Sequence, residues 1–201
     1  MKLLYTLMFV PMIAIAGNCE QFFPFGTPKT NGIELCRIAY VTHYSKTEKL
    51  PIFSAELLIP ENLNGKHQRS NNFQEDPSLP SYLQVIEQDL ISSGFDRGHL
   101  APAEDMRQNS AALEQSFYMS NIVPQNPYMN RGAWKSLETY ARKIAMTYNH
   151  AYVITGTIKD EFSFVLNNGP IVPTYLYKII VTTQPFQMVA FMMPNNDVRG
   201  T

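Results

Sequence analysis

Residues 94–106 read GFDRGHLAPAEDM, and Asp96, Arg97, Gly98 and His99 stand between the apolar residues Phe95 and Leu100 rather than among further charge. No other stretch constrains the fold as much. An acid, a guanidinium and an imidazole flanked by apolar anchors have to be held at the edge of a core, and Gly98 lets the backbone turn or lets a ligand come close. Taken singly, Asp96 and Arg97 read as surface charges and His99 as a satisfied histidine. Whether they act together depends on what the rest of the chain brings to them.

The chain can supply a scaffold. Its 201 residues are enough for one domain with a core of its own, and 45% apolar with 16% charged residues is a globular rather than a disordered composition. A formal net charge of -1 argues against a protein that coats nucleic acid. It leaves room for a local positive cleft, because a few placed arginines set the field of a site.

The chain opens MKLLYTLMFVPMIAIAGNCE, with Lys2, an apolar run from Leu3 to Ala16 and the small-x-small pattern Ala14-Ile15-Ala16. That is the pattern of a secretory signal peptide cleaved after Ala16. The run is shorter than the roughly 20 residues a membrane span needs. We therefore expect a secreted or periplasmic protein with residues 1–16 removed, no membrane attachment after cleavage, and one domain over 17–201. The two cysteines, Cys19 and Cys36, follow the expected cleavage site. In an oxidising compartment such a pair is expected to bridge, pinning an N-terminal arm with about 3 kcal/mol of chain entropy.

Cys36 to Pro60 holds two β-branched and aromatic stretches around the polar run Ser45–Lys49, which reads as a hairpin or two neighbouring strands. Glu61 to Pro80 reads as an irregular loop carrying Lys66, His67, Arg69, Asn71, Asn72 and Asp76. Phe117–Val123, Ala151–Gly156, Thr174–Thr182 and Met188–Met193 read as strands. A helix is expected from Asn130 as N-cap, with Ala133, Trp134, Leu137, Ala141 and Ile144 as its apolar stripe. Glu138 follows Asn130 by eight positions, about 80° around an α-helix. That leaves it either at the same cleft or exposed and paired with Arg142 at i,i+4.

Read together, RSNNFQEDP (69–77), DRGHLAP (96–102), SFYMSNIVPQNPYMNRGAWKSLE (116–138) and Arg142 resemble the DNA/RNA non-specific endonuclease family, whose core is the ββα-metal, or His-Me, finger. The specificity lies in the combination: DRGH, then S-N-x-x-P-Q, N-x-G-x-W and L-E at the family's intervals. The likeness covers residues 19–195. It implies an α+β fold with a mixed or antiparallel central sheet, flanking helices and a ββα-metal motif. It also implies an enzyme that hydrolyses DNA and RNA with little sequence preference and leaves 5′-phosphate ends.

Residue by residue, the resemblance makes His99 the general base and Asn130 the protein ligand of a divalent cation, Mg²⁺ or else Mn²⁺ or another. It makes Glu138 a contact to the metal's water shell and Arg69 a contact to the phosphate. Asp96 and Arg97 complete the catalytic signature, Arg97 and Arg131 are further substrate contacts, and Asn121 and Gln125 support the site. Arg131 stands where relatives often carry another polar side chain. The chain stops at Gly200-Thr201, where family members commonly continue, which reads as a short member or a truncation. Relatives occur as monomers and homodimers, and an inhibitor protein is a further partner to test.

The residue types suit this chemistry. An imidazole with a pKa of about 6.5 is neutral at physiological pH and can take a proton from attacking water, so activity is expected to fall below roughly pH 6 to 7. A hard cation offsets charge on the phosphate and the leaving oxygen, and an amide ligand leaves most of its positions for water and substrate. Arg69 brings a permanent charge and a fork of donors. None of these groups reads a base. The competing readings are a secreted nucleic-acid-binding module that lost catalysis, and a zinc site of His99 with His67, Cys19 or Cys36, whose spacing fits no compact ligand set. A serine hydrolase lacks its G-x-S-x-G elbow here.

Overall fold

The computed structural model describes residues 19–166 and 169–197. The expected leader, residues 1–16, and the chain end at Gly200-Thr201 lie outside the described residues.

Three strands, β1 (Ile33–Cys36), β2 (Tyr40–Ser45) and β3 (Leu50–Leu58), follow one another as an antiparallel meander. The expected hairpin is β2–β3, and its turn ends at Lys49 in the left-handed region (φ 48°). Next come α1 (Pro60–Leu63), β4 (Asp96–His99), α2 (Ser110–Ser116), β5 (Ile122–Gln125) and α3 (Pro127–Met129). A π-helical turn, Asn130–Trp134, joins α3 to α4 (Lys135–Tyr148). The chain then adds β6 (Ala151–Ile158), β7 (Phe164–Val165), β8 (Ile171–Val172), β9 (Tyr175–Thr183) and β10 (Phe186–Pro194).

The large sheet has the order β1-β2-β3-β6-β9-β10, with every neighbouring pair antiparallel. Alternation gives it two apolar faces. Leu176 and Ile180 of β9 and Val153 of β6 face Trp134, Leu137, Ala141 and Ala145 of the helical segment. Val41, Phe53 and Ala55 meet Phe22, Phe23 and Cys19 on the other face. There the Cys19–Cys36 disulfide ties down the N-terminal arm. Full burial of a Leu, Ile or Phe side chain is worth about 1.5 to 3 kcal/mol, so these two layers hold the sheet rigid beneath the helix. β4 and β5 form a separate two-stranded ribbon, registered Asp96↔Gln125 and His99↔Ile122.

Three expectations change. The stretch Phe117–Val123 is a strand only from Ile122; before it runs a 3-10 turn, Met119–Asn121, because the Asn121 side chain satisfies the local backbone instead of a partner strand. The helix is capped by Asn126, whose side chain accepts from the backbone N–H groups of Tyr128 and Met129, and not by Asn130, which already has helical backbone angles. Ala133 leaves the apolar stripe and is exposed, and Ala145 joins it, because the π turn shifts the phase of the helix.

Candidate active site

The ribbon carries the histidine. His99 ends β4 with a relative exposure of 8%, its ring 5.5 Å from Phe73 and 5.1 Å from Phe117 between centroids. Nε2 is buried with no hydrogen-bond partner. Burial, and then the nearby charges of Arg69 and Arg97, push its pKa down to about 3, so the imidazole is neutral at physiological pH. Gly98 is needed because a Cβ there would lie 2.1 Å from the buried side chain of Gln125. Asn121 locks the residues after the histidine: it accepts from the Ala101 N–H (3.0 Å) and donates to the Ala101 and Ser116 carbonyls (2.9 and 3.0 Å). Asn121 and Gln125 are fully buried and support the ribbon from behind without lining the cleft.

The helical segment carries the amide. Asn130 Nδ2 donates to Asp96 Oδ2 at 2.9 Å, and Arg131 clamps the same carboxylate with Nε at 2.8 Å and Nη2 at 2.5 Å. On an unbroken α-helix Asn130 and Glu138 would diverge by about 80°. The extra residue held in the π turn removes one step of about 100°, leaving them roughly 20° apart. Both line the cleft.

Beneath Glu138 lies a buried charged layer. Arg142 donates to Asp105 at 2.9 Å, not to Glu138 as the i,i+4 pairing would have it. Lys178, 1% exposed, donates to Thr155 at 2.5 Å with its ammonium 5.2 Å from the Trp134 ring. Burial pushes the Glu138 carboxyl up to about 7, against a lowering by Lys178 and with a further rise from Asp105. Glu56 is raised as well, mainly by burial.

Arg69 reaches the cleft from the long loop, donating to Asn71 at 2.6 Å and lying 5.4 Å from the Phe117 ring centroid. Asp76 anchors that loop by accepting from Arg37 and Ser120. Arg97 pairs with Glu87 and covers the Phe73 ring at 4.3 Å. Together these side chains line a cleft of about 1230 Å³, which contains Arg69, Asp96, Arg97, His99, Asn130, Arg131 and Glu138 and, in addition, Lys135 and Arg142.

The cleft fits a hard divalent cation. The hydrogen bond to Asp96 commits Nδ2 of Asn130, which leaves the carbonyl oxygen Oδ1 available to an ion, with the Glu138 carboxylate on the same side of the helix. Oxygen donors of this kind, few in number, suit an ion that keeps most of its water. The zinc alternative finds no support: Cys19 and Cys36 are bonded to each other, and no group of three His, Cys, Asp or Glu is placed to hold a metal among the described residues.

Sequence reasoning left Asp105 and Lys178 without a role and gave Arg142 none beyond a pairing. A signal for Lys178 existed: in YLYKIIV it alternates with Leu176 and Ile180, so it had to point into the core. Asp105 stood in the opening stretch, but nothing in that stretch connects it to a helix 37 residues away.

The chain matches the family model for DNA/RNA non-specific endonuclease over residues 18–201. It is 33% identical over 204 residues to mitochondrial endonuclease G of Bos taurus, covering 94% of this chain and 68% of the relative. Against mitochondrial endonuclease G of Homo sapiens it is 34% identical, but spans only 60% of that protein. Nuclease C1 of Cunninghamella echinulata var. echinulata is 33% identical, over 90% of this chain and 79% of the relative. Among solved structures, a crystal structure of the EndoG/EndoGI complex superposes with a TM-score of 0.80 at 28% identity, covering 88% of this chain and 79% of the other. Sequence, fold and cleft agree: this chain belongs to the DNA/RNA non-specific endonuclease family, whose members are metal-dependent nucleases.

Proposed function

We propose that this chain is a sugar-non-specific nuclease that hydrolyses DNA and RNA with Mg²⁺, leaves 5′-phosphate ends and acts outside the cytoplasm. One observation carries the reading: a buried, neutral His99 with an unpartnered nitrogen shares one cleft with the Asn130 amide, whose Nδ2 is committed to Asp96, and with Arg69, Arg131, Lys135 and Arg142.

In this reading the cationic side chains hold the phosphodiester. Arg69 donates to its non-bridging oxygens, and Arg142, fixed by Asp105, adds charge at the same cleft. Water attacks phosphorus while the His99 imidazole accepts its proton, and the 3′-oxygen departs, which leaves the phosphate on the 5′ side. Asn130 and Glu138 would hold the divalent cation, which supplies charge neutralisation when bound. Asp96 keeps the Asn130 amide from flipping, and Arg131 holds Asp96. Arg97, already paired with Glu87, contributes mainly to the field at His99.

The Cys19–Cys36 disulfide supports export, since such bonds persist in oxidising compartments. No helix among the described residues is long and apolar enough to cross a membrane. The reading extends to either a monomer or a homodimer, and to restraint by a protein inhibitor, in line with a structural relative solved in an inhibitory complex. The test is purified protein with plasmid, single-stranded DNA and RNA across Mg²⁺, Mn²⁺ and EDTA. Fragments from all three substrates should ligate, or accept label after phosphatase, as 5′-phosphates do. No cleavage of any substrate in any metal, or 3′-phosphate products, would contradict the proposal.

A further inference from the structure

The lining of the cleft is segregated by element. The helical segment contributes the cations Arg131, Lys135 and Arg142 beside Asn130 and Glu138, whereas the turn at 90–95 contributes Leu90, Ile91, Ser92 and Phe95 and no charge. That turn is fixed: Ser93 Oγ donates to the Leu90 carbonyl at 2.7 Å and accepts from the Phe95 N–H at 3.2 Å. Ser92 and Gly94 take left-handed angles of 60° and 85°, which bends the chain so that Leu90 is buried while Ile91 remains 44% exposed. The small hairpin β7–β8 packs beside it. Leu166 and Val172 share a core cluster with Leu90 and Phe95, and the Phe164 ring lies 6.2 Å from that of Phe95 at 52°. Phe164 and Val165 are 50% and 59% exposed. The result is an apolar shelf of Ile91, Phe95, Phe164 and Val165, joined through Ile91 and Phe95 to a cleft in which Arg69, Arg97, Arg131, Lys135 and Arg142 outnumber the carboxylates of Asp96, Glu104 and Glu138.

Resting on the nuclease reading, we infer that this shelf receives unpaired nucleobases, with Phe164 as a specificity-determining residue that favours single-stranded over duplex substrate. The charge distribution selects the occupant. A polyanionic backbone tracks the cations, and a strand lying there turns flat apolar faces toward the side without charge. Free bases can stack on Phe164 and Phe95, whereas a duplex keeps its bases inside and presents only phosphate and sugar. Such stacking tolerates any sequence, because every base has a π face.

The test is binding without cleavage. In EDTA, fluorescence anisotropy gives the Kd of the full chain for a short single-stranded oligonucleotide and for the blunt duplex made from it. Phe164→Ala should weaken the single strand at least about fivefold, the low end of base–aromatic stacking, and leave the duplex unchanged. Phe164→Trp should restore the single-strand affinity. An unchanged single-strand Kd, an equal loss for both ligands as a misfolded variant would give, or failure of tryptophan to rescue would overturn the inference. Because EDTA removes catalysis, this outcome is separate from the nuclease reading, which falls only if the metal-loaded wild type cuts nothing.

Discussion

His99 and Glu138 show how the same burial acts in opposite directions on a base and an acid. The sequence puts the acid limb of activity near the ordinary histidine pKa. Desolvation between Phe73 and Phe117, reinforced by Arg69 and Arg97, moves His99 to about 3, so it stays neutral far below pH 7. Glu138 instead rises from its ordinary 4.5 to about 7 and is the cleft group that changes charge near neutral pH. The acid limb near pH 7 should therefore vanish in Glu138→Gln and persist in Arg69→Ala. It should also slide to lower pH as Mg²⁺ increases, since a cation favours the carboxylate; a limb that survives in Glu138→Gln contradicts this assignment. The sign for stability follows. Folded protein holds the Glu138 proton that the unfolded chain has released between 4.5 and about 7, so this group costs stability as pH rises through that window. Metal-free Glu138→Gln should gain on the wild type across it in thermal unfolding. Arg69 rests on an exposed loop hydrogen bond to Asn71, and its contribution is to substrate rather than to fold. A charged hydrogen bond is worth about 1.5 to 3 kcal/mol, so Arg69→Ala should lower kcat/KM by about one to two orders of magnitude with little change in Tm. Lysine there should recover only part.

At the level of elements, five of the six strands of the sheet were readable because β-branched and aromatic runs end at clear turns, as in β2–β3 and β9–β10, whereas the four-residue β1 was not read. The helix was readable in its apolar stripe but not in its start or its phase. Asn126 and Asn130 are equally good caps by residue type, and only the tertiary arrangement decides. A π turn has no propensity signature; it is one extra residue stabilised by what lies around it. Here that residue brings Asn130 and Glu138 to one side. Inserting one alanine after the exposed Ala133 should add a step of about 100°, swing the amide away from the carboxylate and abolish Mg²⁺-dependent cleavage. Far-UV circular dichroism should stay close to wild type. Undiminished activity in the insertion variant would show that the phase of the helix does not set the site.

Over the whole molecule, the sequence made the cleft recognisable through DRGH, Asn130 and Glu138, yet said nothing of the floor beneath it. Asp105, Lys178 and Glu56 come from segments far apart in the chain, a 3-10 turn (Ala103–Met106), β9 and β3, and meet only in the folded molecule, where Arg142 of α4 reaches Asp105. Long-range convergence leaves no local pattern to read. A chain of net charge -1 thus presents a cationic cleft backed by buried charge on one side and an apolar shelf on the other. Catalysis in that cleft is best tested by plasmid cleavage with wild type, His99→Ala and Asn130→Ala over a Mg²⁺ titration with an EDTA control. His99→Ala should bind plasmid but lose at least about two orders of magnitude in rate at every Mg²⁺ concentration, the low end of general acid–base catalysis. Asn130→Ala should shift the titration to higher Mg²⁺ and recover part of the rate at saturation. His99→Ala cutting at the wild-type rate would contradict the assignment of this cleft and leave DRGH as a structural turn.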